Sequence, residues 1–408
     1  MSNNLESLQP QTSNRAPRVL MSGGGTGGHI FPAVAIAQEI QKRFPEAEFL
    51  FIGANGKMEM EKVPQAGFKI VGLNIAGFDR GNLLKNIGLP FKLISSLLKA
   101  KKTIKDFKPD FAVGTGGFAS GPALFSASRL GVPIFVQEQN SFPGKTNIFL
   151  SKKAKAVFTA YPNMDQFFHG TKTFFLGNPI RQNIITDLID SKLAKEKLGL
   201  DPNKLTILSV GGSLGSRTLN NGWKENLEKL KEKGYQLIWQ TGKTDYSDIV
   251  GSQKMEDGRN NAALKETSNS QLPTSIQIRE FISDMATAYS AADVIVSRAG
   301  AIAISELAVA KKPVLLVPFP FAAEDHQTKN AQTLVEKNAA KMVKDTEMKE
   351  KFWNTLSEIC ENETLRKDMS KNLEFFSKPK ATEEIVDEIL KTLDIRLQTA
   401  DKNLKSNI

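Results

Sequence analysis

The sequence predicts an α/β protein built from two Rossmann-like domains, each with a parallel sheet, that face each other across a cleft. Short β-rich runs alternate with longer amphipathic segments, which is typical of βαβ units. The alternation stops near residue 180 and then restarts. Both series open with an apolar strand that leads into a glycine turn and a helix, "RVLMSGGGTGGH" and "LTILSVGGSLGSR". At 408 residues the chain also exceeds what one hydrophobic core usually serves.

The strands are predicted from apolar runs bounded by turn residues. In the first series they lie at 18–22, 48–53, 111–116, 134–140, 156–161 and 174–180. In the second series they lie at 206–212, 236–242, 276–282, 294–300, 313–320 and 339–343. The polar segment 182–198 is predicted to be helical, 243–275 to be a helix followed by a surface loop, and 382–397 to be a closing helix. The join between the series is expected near "GNPIR".

Composition and charge exclude several classes of protein. The chain is 40% hydrophobic and 24% charged, which is typical of soluble globular proteins. No apolar run reaches the roughly 18 residues needed to span a bilayer. The single cysteine, Cys360, cannot form an internal disulfide, fits a reducing compartment and is expected to be an inert helix residue. The net charge of +10 comes without any zinc spacing or RNA-binding signature, so no nucleic-acid partner is expected. It suits an acidic membrane surface or a phosphorylated ligand.

The first glycine loop, "GGGTGGH", is predicted to expose a flat backbone surface without side chains at a helix N-terminus. The N–H groups there favour a polar or anionic ligand. It formally matches the dinucleotide pattern, but Ala54 and Asn55 follow the second strand where a dinucleotide site needs an acidic residue. A P-loop would need Lys and then Ser or Thr, where this chain has His29 and Ile30. The alternative that these glycines serve only turning and packing stays open.

Three further loops carry candidate binding groups. "GTGGFASGP" is expected at the same sheet edge as the first loop. Its glycines would leave that side of the cleft open enough for a bulky second substrate. "GGSLGSR" presents the Ser213 hydroxyl at a helix start, beside N–H donors for a diphosphate. "SRAGAIAISELAVA" opens a helix in which Glu306 can accept both hydroxyls of a ribose, although a solvated or capping role is the alternative.

Seven motifs then occur in a fixed order: "GGGTGGHIFPAVAIA", "GTGGFASGP", "QEQN", "GNPIR", "GGSLGSR", "SRAGAIAISELA" and "PFPFAAEDHQTKNA". Together they resemble the MurG family of bacterial transferases, in glycosyltransferase family 28, over about residues 18 to 397. The family adds GlcNAc from UDP-GlcNAc to the lipid-linked muramyl pentapeptide of peptidoglycan. The resemblance implies a GT-B fold, with the acceptor on the N-terminal domain and the donor mostly on the C-terminal domain.

The resemblance also implies donor-binding residues. Arg181 and Ser213 would bind the phosphates, and Ile282 would hold uracil through its backbone. Glu306 would take the ribose hydroxyls. Ala303 stands where the family often has Thr, so backbone N–H groups would meet the β-phosphate there. The full set expected to contact UDP-GlcNAc is Thr26, Gly27, Gly28, Asn140, Arg181, Ser213, Ile282, Ala301, Ile302, Ala303, Ile304, Ser305, Glu306, His326 and Gln327.

The resemblance implies inversion at the sugar, so a base on the acceptor side is expected. His29 is one candidate, because a neutral imidazole can accept a proton at cytoplasmic pH. Glu138 in "QEQN" is the other, and the sequence does not separate them. The acceptor is expected near Gly116, Gly117 and Phe118. The charge on the diphosphate would be met by Arg181, the helix start near Ser213 and the "SRAGA" turn, so no metal is expected. Consistently, the chain has no D-x-D pair. No cofactor is expected.

A lipid acceptor requires membrane contact, and the amphipathic stretch 73–108 supplies a candidate surface. Residues 93–98 are expected to pack on their own sheet. The protein is expected at the cytoplasmic face of the inner membrane as a peripheral protein, with cell-wall synthesis or division proteins as further partners. The residues expected to touch the membrane are Phe78, Arg80, Leu84, Lys85 and Phe91.

The expected division is a disordered tail at 1–17, an acceptor domain at 18–180, a donor domain at 181–380 and a tail at 398–408. By resemblance, a helix at 381–397 crosses back to the first domain. Two other functions are considered. One is a related transferase with another lipid acceptor, such as diacylglycerol, which Glu306, Gln327 and "GTGGFASGP" disfavour. The other is a non-enzymatic nucleotide-sugar sensor, which His29 and Arg181 disfavour.

Overall fold

The computed structural model describes residues 15–75, 88–212, 214–256 and 275–395, and within 252–256 it describes the backbone alone. Several predicted sites and most of both predicted tails lie outside the described residues. These sites are Phe78, Arg80, Leu84, Lys85 and Ser213.

The first sheet is parallel throughout, with the strand order β3-β2-β1-β4-β5-β6-β7. Its strands are β1 (Arg18–Gly23), β2 (Glu48–Ala54), β3 (Lys69–Leu73), β4 (Phe111–Gly116), β5 (Ile134–Glu138), β6 (Ala156–Thr159) and β7 (Thr173–Phe175). The sequence does not predict β3. This strand lies at the sheet edge and buries only its last two residues, so its apolar signal is weak.

The second sheet is also parallel, with the order β10-β9-β8-β11-β12-β13. Its strands are β8 (Thr206–Val210), β9 (Gln236–Gln240), β10 (Ile276–Arg279), β11 (Val294–Ser297), β12 (Val314–Leu316) and β13 (Lys341–Met342). All six predicted strands are present, although several end earlier than predicted. The prediction of two Rossmann-like parallel sheets is confirmed.

Helices connect the strands and cover the sheets. They are α1 (Gly27–Arg43), α2 (Glu59–Gln65), α3 (Leu89–Phe107), α4 (Ser120–Arg129), α5 (Lys145–Ser151), α6 (Gln182–Thr186), α7 (Ser191–Lys197), α8 (Arg217–Glu232), α9 (Lys243–Glu256), α10 (Met285–Ala291), α11 (Ala301–Ala310), α12 (His326–Val335), α13 (Met348–Glu361), α14 (Glu363–Leu373) and α15 (Ala381–Thr392). The predicted helix at 182–198 is two helices, because Asp190 caps a new one by accepting from the N–H groups of Lys192 and Leu193. Among the described residues, no helix has both the length and the apolar character needed to cross a bilayer.

Helix α3 differs from the prediction on its outer side. The expectation that residues 93–98 pack on their own sheet is wrong for Leu93, Ile94 and Leu98, which are 45%, 56% and 65% exposed. The buried residues of α3 are Ser96, Ala100 and Ile104. The helix therefore packs through one large side chain, Ile104, and two small ones, and it leaves Leu93, Ile94 and Leu98 in solvent.

The last helix packs against the first. Ile385 and Ile389 of α15 share a buried cluster with Val19 of β1 and with residues of α1. Arg43 at the end of α1 forms an ion pair with Asp387 of α15. Residues at the far end of the chain thus complete the core of the N-terminal half.

Chain order reverses beside the first strand of each sheet, between β1 and β4 and between β8 and β11. In open parallel sheets ligands bind outside the carboxyl ends of the strands at such a point. Gly23 at the end of β1 is the register partner of Gly116 at the end of β4. The prediction that the two glycine loops line one sheet edge is confirmed.

Cys360 is buried in α13, and burial raises the pKa of its thiol to about 12. Because the thiolate is the reactive form, the native protein should resist thiol reagents at neutral pH. We expect Ellman's reagent to detect no thiol in the native chain and one thiol after unfolding in guanidinium. Rapid labelling of the native protein would contradict the buried placement.

Candidate active site

The two glycine loops touch each other through their backbones. The N–H of Gly24 donates to the carbonyl of Gly116 at 3.2 Å. A Cβ on Gly117 would lie 2.3 Å from the Gly24 carbonyl oxygen, and Gly117 also has a φ of +88°. Packing thus requires glycine at this position. Thr26 stays exposed at the start of α1, so a surface remains beside the packed loops.

A buried carboxylate, which the sequence analysis does not identify, holds the first loop from behind. Glu59 is fully buried and accepts from the N–H groups of Gly25 at 2.8 Å and Ala54 at 2.9 Å. In the sequence it stands among charged residues and looks like part of a solvated helix. Its two backbone partners instead make it a support for the loop.

His29 lies in the first turn of α1, half-buried. Its Nδ1 is 2.8 Å from Oε1 of Gln139. A Cβ on Gly116 would come within 3.0 Å of the same nitrogen, so the glycine leaves room for the ring. No residue in the described part of the chain hydrogen-bonds to Nε2, which makes this nitrogen available to a substrate.

Glu138 directly precedes Gln139, the partner of His29, but its carboxylate is occupied by its own loop. Its carboxylate is buried and accepts from the N–H groups of Asn140 at 3.0 Å and Gly144 at 3.1 Å, and from Nδ2 of Asn147 at 2.8 Å. Both oxygens are thus engaged, which suits a structural role better than proton transfer.

Amide side chains bond the two halves together. Asn330 of α12 is fully buried, accepts from the N–H of Ser141 at 2.9 Å and donates to Oδ1 of Asn140 at 3.1 Å. Asn178 donates to the hydroxyl of Ser305 in α11 at 3.0 Å. The sequence predicts no role for Asn330 or Asn178, although they lie within the motifs "PFPFAAEDHQTKNA" and "GNPIR". The partners of an amide depend on tertiary contacts that a motif does not contain.

On the C-terminal half, Glu306 is buried in α11 and paired with Arg181. Nε of Arg181 donates to Oε1 at 3.0 Å and Nη2 donates to Oε2 at 3.2 Å. Tyr289 donates to Oε2 at 3.1 Å. Burial, reinforced by the Glu306 charge, raises the pKa of Tyr289, so its hydroxyl remains a donor. The Tyr289 contact is not predicted from the sequence.

Arg181 keeps donors for a ligand. Partial burial opposes its charge, but its hydrogen bonds to Glu306 raise its pKa overall. A guanidinium has five N–H donors, and within the described part of the chain Glu306 accepts from two of them, which leaves three N–H groups. The side chain is 48% exposed, so these donors can reach a phosphate. Ala301, Ile302 and Ala303 form the neighbouring first turn of α11, which no side chain caps.

The remaining donor-site predictions lie around this turn. The N–H of Ile282 donates to Oε1 of Gln240 at 3.0 Å, so only its carbonyl is left for a base. Oε1 of Gln327 accepts from the N–H groups of Ala299 at 3.1 Å and Phe319 at 2.9 Å, which leaves its Nε2 as the group to donate to a ligand. Ile304, Ser305 and Glu306 continue α11.

His326 begins α12 on the far side of the cleft from His29. Burial lowers its pKa and the charge of His29 acts in the same direction, while Glu138 and Glu324 oppose them. At neutral pH its ring is therefore uncharged. Glu324 and Asp325, just before it, both adopt left-handed backbone conformations, with φ of 52° and 56°. Such strain in non-glycine residues is concentrated at functional sites.

The structure thus brings His29, Glu138, Asn140 and His326 together at the cleft and places Arg181 against Glu306. Gly116 and Gly117 lie under the His29 side, and Phe118 beside them is 50% exposed. Ser213 lies outside the described residues, between the end of β8 and α8.

Comparisons with known proteins identify the family to which the chain belongs. The N-terminal domain model of glycosyltransferase family 28 matches residues 19–159, and the C-terminal domain model of the family matches residues 206–385. A relative from Phocaeicola vulgatus is 50% identical over 377 residues, covering 92% of this chain and 96% of the relative. A relative from Cytophaga hutchinsonii is 48% identical over 377 residues, covering 92% and 97%.

Both relatives are named UDP-N-acetylglucosamine--N-acetylmuramyl-(pentapeptide) pyrophosphoryl-undecaprenol N-acetylglucosamine transferase. Among solved structures, the crystal structure of Acinetobacter baumannii MurG matches with a TM-score of 0.72 and 30% identity, covering 92% of this chain and 99% of that one. The chain belongs to glycosyltransferase family 28 and, within that family, to the MurG transferases.

Proposed function

We propose that this chain transfers GlcNAc from UDP-GlcNAc, with inversion, to the C4 hydroxyl of undecaprenyl-diphospho-MurNAc-pentapeptide in peptidoglycan synthesis. The observation that carries the proposal is the placement of two kinds of group on opposite sides of one cleft. A histidine whose Nε2 has no hydrogen-bond partner among the described residues lies on the N-terminal side, and a carboxylate, an arginine and a helix N-terminus lie on the other. The acceptor class follows the names of the relatives, so a diacylglycerol acceptor is not favoured.

The donor fits the C-terminal side group by group. The carboxylate of Glu306 accepts hydrogen bonds from the ribose hydroxyls, one of which takes the place of a hydrogen bond from Arg181. The carbonyl of Ile282 accepts the N3–H of uracil. The diphosphate lies between the first turn of α11 and the free N–H groups of Arg181. Nε2 of Gln327 donates to a sugar hydroxyl, with His326 beside it.

The same groups stabilise the leaving UDP. Negative charge grows on the β-phosphate as the bond to the sugar breaks. The helix N-terminus and Arg181 carry positive charge that is already in place, so little reorganisation is needed. Because Arg181 also neutralises Glu306, the carboxylate does not repel the diphosphate.

His29 acts as the base that removes the proton of the acceptor hydroxyl. Its Nε2 has no protein partner in the described part of the chain, whereas the Glu138 carboxylate is held by backbone donors. The acceptor then lies over Gly116, Gly117 and Phe118. Thr26, Gly27, Gly28 and Asn140 border the GlcNAc.

Each of the two sheets belongs to a domain that binds one of the two substrates. We propose an acceptor domain at 18–180 and a donor domain at 181–380, with the helix after residue 380 returning to the acceptor domain. The contacts of α15 with α1 support this return.

A direct transfer assay tests the function. The chain is mixed with radiolabelled UDP-GlcNAc and a lipid-linked muramyl-pentapeptide analogue, and a diacylglycerol acceptor is tried in parallel. We expect a labelled disaccharide product from the first acceptor alone. Release of GlcNAc without transfer, or transfer to diacylglycerol, would contradict the proposal.

We also propose that the protein docks peripherally on the cytoplasmic leaflet through the outer face of α3. Phe91 and Leu98 are 76% and 65% exposed, and the spacing of Phe91, Ile94 and Leu98 puts them on one side of the helix. Lys101, Lys102 and Lys105 continue this side and are exposed. An apolar strip that ends in cations suits an anionic lipid surface.

Replacing Phe91 and Leu98 together with serine should weaken binding to anionic vesicles by roughly tenfold or more, because each large apolar side chain contributes about 1.5–3 kcal/mol when it leaves water. Co-sedimentation with vesicles measures this. Leu193→Ser is the matched control, because Leu193 is 54% exposed on α7 in the other half. Equal losses in both variants, or none in either, would count against the α3 face.

A further inference from the structure

Gln139 follows β5 and lies buried between His29 and the strand ends. Its Nε2 donates to the carbonyl of Thr115 at 2.7 Å and to the carbonyl of Gln137 at 3.0 Å. Its Oε1 is 2.8 Å from Nδ1 of His29. The side chain thus joins the ring of the proposed base to two strands of the sheet.

These contacts determine which atom of the amide is the acceptor. Carbonyl oxygens only accept, so the group that faces Thr115 and Gln137 must be the NH₂ group. A flipped amide would place Oε1 against two carbonyl oxygens and leave a buried NH₂ group facing the ring. The oxygen therefore faces His29, and Nδ1 must carry the hydrogen that this oxygen accepts.

The amide is held in turn by a second one. Nε2 of Gln139 also contacts Oε1 of Gln137, whose own Nε2 donates to Oδ1 of Asn178 at 2.9 Å. Asn178 donates to Ser305 in α11. All three amides are buried, so rotation of any one would leave polar groups without partners.

We propose that Gln139 is a positioning residue that fixes His29 in the Nδ1–H tautomer and so keeps Nε2 free to accept the proton of the acceptor hydroxyl. The hydrogen bond at one imidazole nitrogen decides which nitrogen is protonated. In the other tautomer the lone pair would lie on Nδ1, facing Oε1 of Gln139 and away from any substrate. The inference rests on the proposed role of His29 as the base.

The other charged and titratable groups near His29 do not determine its tautomer. Glu138 at the end of β5 and His29 itself both act through space on the pKa of His326 in α12. Neither forms a hydrogen bond with the His29 ring within the described part of the chain. Gln139 is the residue that contacts Nδ1 directly.

The wild-type tautomer can be read without an activity assay. The chain has three histidines, so nitrogen NMR of ¹⁵N-histidine-labelled protein, compared with the His29→Asn variant, assigns the His29 signals. At a pH where imidazoles are neutral, we expect the Nδ1–H tautomer. An Nε2–H tautomer would overturn the inference even if GlcNAc transfer were demonstrated. A failed transfer assay would not change this reading.

The variant Gln139→Met removes the amide at similar length. We expect the Nε2–H tautomer to appear and kcat to fall about 10- to 100-fold, with the KM for UDP-GlcNAc nearly unchanged. Gln166→Met is the matched control, because Gln166 is exposed and bonds only a local carbonyl. A merely structural role would lower the melting temperature and leave the tautomer as in the wild type. A folded Gln139→Met variant that kept both the wild-type tautomer and the wild-type kcat would refute the proposal. If the variant failed to fold, the tautomer of His29 in the wild-type spectrum would test the proposal alone.

Discussion

Replacing His29 with asparagine is expected to lower kcat for GlcNAc transfer by about 10²- to 10⁴-fold, which is the usual contribution of a general base. Asparagine keeps a polar side chain at the start of α1 but has no group that can take a proton from a hydroxyl. The KM for UDP-GlcNAc should stay within about twofold of the wild type, because the donor groups lie on the other side of the cleft. Steady-state kinetics with both substrates measure the two effects separately.

His169→Asn provides the matched control, since His169 is an exposed turn residue. Its kcat should equal that of the wild type. If His29→Asn retained wild-type kcat, proton removal would fall to another group. If Glu138 were the base, Glu138→Gln would lose activity without losing stability. Because its carboxylate accepts from two backbone N–H groups, we expect this variant to lose stability as well.

The second large effect is expected at Glu306. Its carboxylate can accept from both ribose hydroxyls, and hydrogen bonds to a charged group contribute about 1.5–3 kcal/mol each. Glu306→Ala should therefore weaken UDP binding by roughly 10²-fold, measured by calorimetry. The loss is smaller than two full hydrogen bonds would give, because the variant also releases Arg181 to donate all its N–H groups to the phosphates.

A comparison of ligands isolates the ribose contact. Wild-type protein should bind UDP more tightly than 2′-deoxy-UDP, by about tenfold, and Glu306→Ala should bind the two with nearly equal affinity. Glu374→Gln is the control, since Glu374 forms an exposed ion pair with Lys311 far from the cleft. If Glu306→Ala still bound UDP about tenfold more tightly than 2′-deoxy-UDP, Glu306 would not bind the ribose. Its role would then be that of a structural partner of Arg181.

Much of the fold is predictable because parallel strands and their helices leave strong local patterns. Runs such as 206–212 and 294–300 are apolar and end in glycine turns, and both become strands. Strand β3 escapes prediction because an edge strand pairs on one side only and can carry exposed residues such as Lys69. The outer side of α3 is predicted wrongly, because an amphipathic pattern does not say which surface covers the apolar side.

Some residues of the candidate site can likewise be identified from the sequence, and others cannot. Residues whose chemistry is unusual in their position, such as His29 after glycines or Glu306 in an apolar helix, are identified from the sequence. Glu59, Tyr289 and Asn330 are not, because their importance comes from partners far away along the chain.

By itself, the sequence determined the two parallel sheets, the glycine loops at their edges and the membership in a transferase family, since each depends on short segments and their order. Only the tertiary structure decided that Glu138 supports a loop, that Arg181 and Glu306 are paired, and that Gln139 contacts Nδ1 of His29. The physical reason is that a buried polar group must find a hydrogen-bond partner, and which partner it finds depends on how the two halves of the chain come together in space.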